Sequence, residues 1–140
     1  MPSKAPRLFL LLSQAQHRLL KSADTVYKEA LGISATHLGV LFILEKRPGS
    51  LLKDVSEELK INPSAITGLI GRMEEAGLVV RQPSDDDGRS VRLYATTDGI
   101  AKAAGARPIL GRLNAKLTEG FDDQEIETVA RFLNAILERF

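Results

Sequence analysis

Residues Ser50–Tyr94 read SLLKDVSEELKINPSAITGLIGRMEEAGLVVRQPSDDDGRSVRLY, and the fold turns on this stretch. Ser50 is a good N-cap for a short helix through Lys60, with Leu51, Leu52, Val55 and Leu59 on its inner side. Ile61 then leads into Asn62-Pro63. Asparagine suits a cap, and proline suits the first helical position, where no N–H is needed and φ is already set. The spacing predicts a helix from there to Ala76, burying Ala65, Ile66, Leu69, Ile70 and Met73. Gly77 closes it where a left-handed residue is wanted. Leu78–Arg81 then reads as a strand, and Ser90–Tyr94 alternates polar and apolar as a half-buried strand does. The eight residues between them include Asp87-Gly88, a strong reversal signal, so the pair forms a hairpin with a polar, exposed tip.

Two helices joined by a turn as short as Ile61-Asn62 cross steeply. The second of such a pair can lie in the major groove of B-DNA with its N-terminal residues on base edges. Its buried set leaves Ser64, Thr67, Gly68, Gly71 and Arg72 facing outward. The hydroxyls can bond phosphates or bases, and Arg72 can reach a phosphate or a guanine edge. Each glycine costs about 1 kcal/mol relative to alanine inside a helix. That cost fits close approach of DNA or another backbone, or equally tight packing on a neighbouring helix. Arg89 at the hairpin tip is shaped to enter a narrow, negative minor groove, whereas alone it would read as a solvated charged turn. Asp87 is suited to holding the tip by accepting backbone or Arg89 hydrogen bonds.

Outside this core lie helices with apolar faces. Leu8, Leu12, Ala15, Leu19, Ala23, Val26 and Ala30 recur at spacings of three and four, predicting a helix from about Pro6 to Ala30, ended by Gly32. It is long for so small a domain, and part of its stripe is expected to meet something other than the local core. A second helix begins near Ser34 or Thr36 with Leu38, Leu41, Phe42 and Leu44, and Pro48-Gly49 breaks it. Thr96 or Thr97 caps a fifth helix that Pro108 is expected to kink. The last helix opens at Asp122, with Glu125 at the capping-box position and Phe121 able to staple onto Ile126. Its apolar face comprises Ile126, Val129, Phe132, Leu133, Ile136 and Leu137.

The chain's 140 residues fit one domain. The absence of cysteine excludes disulfides, thiolate zinc sites and a thiol redox switch, and with only His17 and His37 as imidazoles no metal or other cofactor is expected. The longest apolar run, Leu8–Leu12, is far short of the roughly 20 residues that cross a bilayer. No small-residue cleavage site follows that run, so a cytoplasmic protein without membrane attachment is expected. Lysine plus arginine number 19 against 18 acids, so charge alone does not argue for nucleic acid. No nucleophile elbow, phosphate-cradling loop or metal-binding histidine pair appears, so no enzyme is expected.

The stretches Glu75-Ala76-Gly77-Leu78-Val79-Val80-Arg81, Asp87-Gly88-Arg89-Ser90 and Ala95-Thr96-Thr97-Asp98-Gly99 resemble the MarR family of bacterial regulators. That family typically carries a GLV-x-R strand, a D-x-R-S/A wing tip and an LT-x-x-G start to the next helix. Ala95 departs from the usual leucine but touches no DNA-facing position.

The resemblance implies a mainly α fold with a small β-hairpin wing, a winged helix-turn-helix core at about 34–95. Dimerisation helices at about 6–31 and 97–140 interlock with a second copy. It implies a homodimer presenting two winged helices to a pseudo-palindromic double-stranded operator, acting as a ligand-responsive repressor. Ser64, Thr67, Gly68 and Arg72 fall in the recognition helix, Arg89 at the wing tip, and Leu8, Leu12, Phe132, Leu133 and Ile136 in the dimer surface. Family members often bind small aromatic or phenolic effectors, for which His17, Tyr27, His37 and Phe42 are candidate contacts. The rival reading is a winged-helix adaptor that binds protein and would tolerate loss of Arg72 and Arg89.

Overall fold

The computed structural model describes the backbone of residues 5–84 and 87–140, and side chains over 7–84 and 90–140. It divides into two units, residues 1–107 and 108–140.

The first unit opens with α1 (Ala5–Leu31), 27 residues and therefore about 40 Å of helix. Only its C-terminal half is drawn into the core: Tyr27 is buried and Val26 half-buried, while Leu8, Phe9, Leu10, Leu11, Leu19 and Leu20 are exposed. Gly32 ends it at φ +72°, and Lys102 caps it by donating Nζ to the Leu31 carbonyl at 2.6 Å. Helix α2 (Ala35–Lys46) starts at Ser34, whose hydroxyl accepts the His37 N–H at 3.2 Å. It is the centre of the core, with Leu38, Val40, Leu41 and Leu44 almost wholly buried.

The start of the next helix differs from expectation. Ser50 is not its N-cap. With Leu51 it forms a two-residue strand, β1 (Ser50–Leu51), antiparallel to a strand far along the chain, with Ser50 opposite Leu93. Its hydroxyl turns back to donate to the Arg47 carbonyl at 2.6 Å. Helix α3 (Leu52–Leu59) therefore starts later, with Leu51 as its cap residue and no side-chain cap. Lys60 closes α3 in the left-handed conformation at φ 55°.

Helix α4 (Pro63–Glu75) begins as the Asn-Pro pair predicts, with Asn62 as its cap. Ile66, Leu69, Ile70 and Met73 are buried, but Ala65, expected inside, is exposed. Gly77 follows at φ +76°. Strands β2 (Val79–Ser84) and β3 (Asp87–Ala95) run further toward the tip than their apolar residues suggest, since exposed positions also sustain the ladder. The sheet order is β1-β3-β2, with Arg81 opposite Leu93 and an irregularity between Pro83 and Ser84. Helix α5 (Thr97–Thr118) is capped by Thr96, whose hydroxyl accepts the Gly99 N–H at 3.0 Å. The helix continues through Pro108, which can supply no N–H there. Ala103 and Ala106 on its first half are fully buried.

The second unit holds the rest of α5 and α6 (Asp123–Arg139). The capping box is present in both directions: Asp122 accepts the Glu125 N–H at 2.8 Å and Glu125 accepts the Asp122 N–H at 3.0 Å. Phe121 and Ile126 line one shallow cleft, with Phe121 largely exposed. No residue of α6 is buried, and Val129, Phe132, Leu133 and Leu137 stand open.

Candidate DNA-binding surface

The α3–α4 turn is held from inside. Ser56, a buried polar residue of α3, donates its hydroxyl to the Ile61 carbonyl at 2.5 Å, and its own carbonyl accepts the Ile61 N–H at 3.0 Å. That pair fixes where α4 starts. Asn62 Oδ1 then accepts both the N–H of Ser64 at 3.0 Å and its hydroxyl at 2.8 Å.

On the outer face of α4, Ser64, Thr67, Gly68 and Arg72 are all exposed or nearly so, with Gly71 the residue that turns inward. Thr67 donates its hydroxyl to the Pro63 carbonyl at 3.0 Å. Both hydroxyl protons are thus held within the helix, which leaves the oxygens free to accept from base amino groups, while donation to phosphate requires breaking an internal bond. The partial positive charge of the helix N-terminus favours a phosphate beside them.

Arg72 lies back over Gly68. A Cβ built at Gly68 would stand 3.4 Å from Arg72 Nη1 and meet no other atom closely. Among the described residues, no neighbouring helix packs on this glycine. Its role inside the molecule is to leave a lane for the arginine. Among the described residues no carboxylate pairs with Arg72, so its charge remains available at the surface. Gly71 is half-buried rather than outward-facing, because the Arg81 guanidinium covers it, with Nη2 3.6 Å from where a Cβ would be. Sequence reasoning did not single out Arg81 as a site residue. It pairs with Glu74 at 3.2 Å and donates to the Thr67 carbonyl at 3.4 Å.

The wing is rooted by buried Val79 and Leu93, and braced by Arg92, whose Nη1 donates to the Gly49 carbonyl at 3.0 Å. The Asp87 and Arg89 side chains lie outside the described residues.

The four candidate effector contacts are differently placed. His17 is exposed on α1, and Tyr27 is buried, which pushes its phenol above the ordinary value. Phe42 is half-buried beneath the Arg107 guanidinium, 5.9 Å from ring centroid to Cζ. His37 is half-buried with a fully enclosed Nδ1 that finds no partner among the described residues. Burial, followed by the charge of Arg72, holds its imidazole below the usual range; Asp24 opposes this and Lys28 adds to it. None of the four lines the cleft of about 260 Å³ between α2, β1 and α3, which is walled by Arg47, Pro48, Asp54, Glu58 and Arg92.

Residues 31–90, from the end of α1 to the outgoing strand of the wing, match the model of the MarR family. That match spans 60 of the 140 residues. The matched segment contains α2, the α3–α4 pair and most of the wing. The transcriptional repressor MdtR of Bacillus subtilis is 29% identical over 113 residues, 78% of this chain and 70% of that protein. A crystal structure of Staphylococcus aureus MepR in complex with DNA superposes with a TM-score of 0.86 at 20% identity, covering 94% of this chain and 96% of that one. CouR of Rhodococcus jostii, solved with p-coumaroyl-CoA bound, gives 0.82 at 23% identity over 97% and 95% of the two chains. At these identities the two superpositions establish the winged-helix fold. Among the described residues, no helix is long and apolar enough to cross a membrane.

Proposed function

We propose that this chain is a MarR-family regulator that binds double-stranded DNA in a sequence-specific manner as a homodimer, from the cytoplasm, with no catalytic step of its own. The observation that carries this reading is the outer face of α4. Ser64, Thr67, Gly68 and Arg72 form a polar strip at the start of a helix whose opposite side is fully packed. A strip of small acceptors flanking a guanidinium with no carboxylate partner among the described residues matches what base edges and phosphates require. The wing supplies a second contact, for which Arg89 is the assigned residue and Asp87 the residue that holds the tip.

The dimer is supported by apolar surface on both units. Leu8 on α1 and Phe132 and Leu133 on α6 are each more than two-fifths exposed, at 44%, 42% and 43%. Leu12 and Ile136 add further apolar surface to the same two helices. The domain assignment follows: a DNA-reading core at about 34–95, with dimerising helices before and after it. Because CouR is solved with a phenolic acyl-CoA, a small aromatic or phenolic effector is the matching expectation for this chain, with His17, Tyr27, His37 and Phe42 as its proposed contacts. Occupancy of a promoter then represses transcription, and the effector releases it.

Selection of bound duplexes from a random pool, at moderate and raised salt, tests the reading. Enrichment of an inverted repeat with half-sites about one helical turn apart is expected. Recovery of nothing above background at either salt, with and without aromatic acids, would overturn it in favour of a protein-binding adaptor.

A further inference from the structure

Arg81 reaches from the wing strands onto two turns of the recognition helix. It sits in β2 opposite Leu93 of β3, and its guanidinium crosses to α4. There Nη2 donates to the Thr67 carbonyl at 3.4 Å, and Nε stands 3.2 Å from Glu74 Oε1. The second contact is electrostatic, since among the described residues Nε has no acceptor at hydrogen-bonding angle. Thr67 and Glu74 lie two turns apart on one side of the helix, and Gly71, on the turn between them, has no side chain to lift the guanidinium away.

Two anchors along one helix restrain what apolar packing does not. Ile66, Leu69, Ile70 and Met73 hold α4 against the core, but burial of that kind is non-directional and tolerates a small rotation about the helix axis. A rotation of about 20° moves a side-chain tip roughly 5–6 Å from the axis by about 2 Å. Recognition geometry tolerates roughly 0.5 Å. The groups affected are those on the outer strip: Ser64, Thr67 and Arg72. Arg81 also differs from Arg72 in what its charge does. Among the described residues Arg72 has no carboxylate partner, whereas Arg81 is paired with Glu74 and its Nη2 donates inward to the Thr67 carbonyl.

We infer that Arg81 is a positioning residue for DNA recognition, locking the rotation of α4 to the wing so that both reading elements meet the duplex as one body. This rests on the DNA-binding reading above. Lysine cannot substitute, because a point ammonium lacks the fork that spans two anchors.

The test uses the full-length protein, the duplex recovered from the random pool and a scrambled duplex of equal length. Arg81→Ala, Arg81→Lys and Glu74→Gln are each expected to lower the ratio of selected to scrambled affinity by about tenfold, the double variant being no worse than the more damaging single. The salt slope of binding should match wild type. Glu74 is 43% exposed at its side chain, so Glu74→Gln keeps the fold and serves if Arg81→Ala does not. A slope reduced by about one in Arg81→Ala, together with tighter binding by Glu74→Gln, would make Arg81 a phosphate contact and overturn the inference. An unchanged ratio in Glu74→Gln and Arg81→Lys would also overturn it. If wild type itself selects no duplex, the DNA-binding reading falls and takes this inference with it. Where wild type does select a duplex, an unchanged ratio in the variants counts against the role of Arg81 alone.

Discussion

The carbonyl oxygen of Leu78 occupies the space where a side chain on Gly99 would begin: a Cβ there would stand 2.3 Å from it. That carbonyl cannot simply move aside, because it accepts the Thr96 N–H at 3.0 Å where the wing hands over to α5. The Leu41 side chain closes the same space, 2.9 Å from the built atom. Gly99→Ala is therefore expected to cost about 1–3 kcal/mol, the usual range for overpacking a filled site. Urea unfolding reads this directly, and a midpoint equal to wild type would show that the strand–helix junction yields freely.

Removing Arg72 deletes the cation of the recognition strip. Arg72→Ala should weaken binding to the selected duplex by about 1–3 kcal/mol, and competition with single-base variants should show relaxed preference at one position per half-site if it reads a guanine. Weakening that is uniform across all duplexes, with a lower salt slope, would assign it to phosphate instead. Arg89→Ala is expected to lower the slope in that second manner.

Acidification should act through His37. Its folded imidazole is held below the ordinary 6.5, chiefly by burial and then by Arg72, so the folded chain prefers it neutral. Between that lowered value and 6.5 the unfolded chain takes up a proton that the folded chain refuses. Its contribution to stability is thus full above pH 6.5, declines as pH falls below it, and levels off once the folded value is passed. Thermal unfolding of wild type and His37→Gln between neutral and mildly acid pH should show a shallower decline in the variant. Parallel curves would count against this role.

Charge on the exposed apolar helices should separate the subunits. Leu8→Asp on α1 and Phe132→Asp on α6 each remove a contact that burial would make worth about 1.5–3 kcal/mol, before the cost of burying the new carboxylate. Sedimentation should move from dimer to monomer at micromolar concentration with the helical circular dichroism retained. Persistence of the dimer in both variants would place the interface elsewhere.

Features written in adjacent residues were legible from sequence. Asn62-Pro63, the glycines at 32 and 77, and Asp122 with Glu125 each act on backbone groups within a few positions, and each is found in its expected role. Features that depend on partners far along the chain were not. Ser50 has the chemistry of a helix cap, yet its backbone finds Leu93 and becomes a strand too short to leave a pattern. Ala65 shares the helical period of its buried neighbours, but an alanine carries too little apolar surface for spacing alone to decide which way it faces. Arg81 reads as a polar strand end until the fold brings Thr67 and Glu74 beneath it.

The smallest strand has the widest reach. Gly49, just before β1, receives Arg92 from 43 residues away, and Ser50 and Leu51 pair with the same strand that forms the wing. A lone hairpin is marginal in water, and a third strand gives it a foundation. Both helices of the helix-turn-helix are strung between the two ends of that pairing. The segment is therefore a closed cassette: a new reading helix can be exchanged into it only with both clasps kept, and a wing transplanted without residues 49–51 would arrive without its hinge pin.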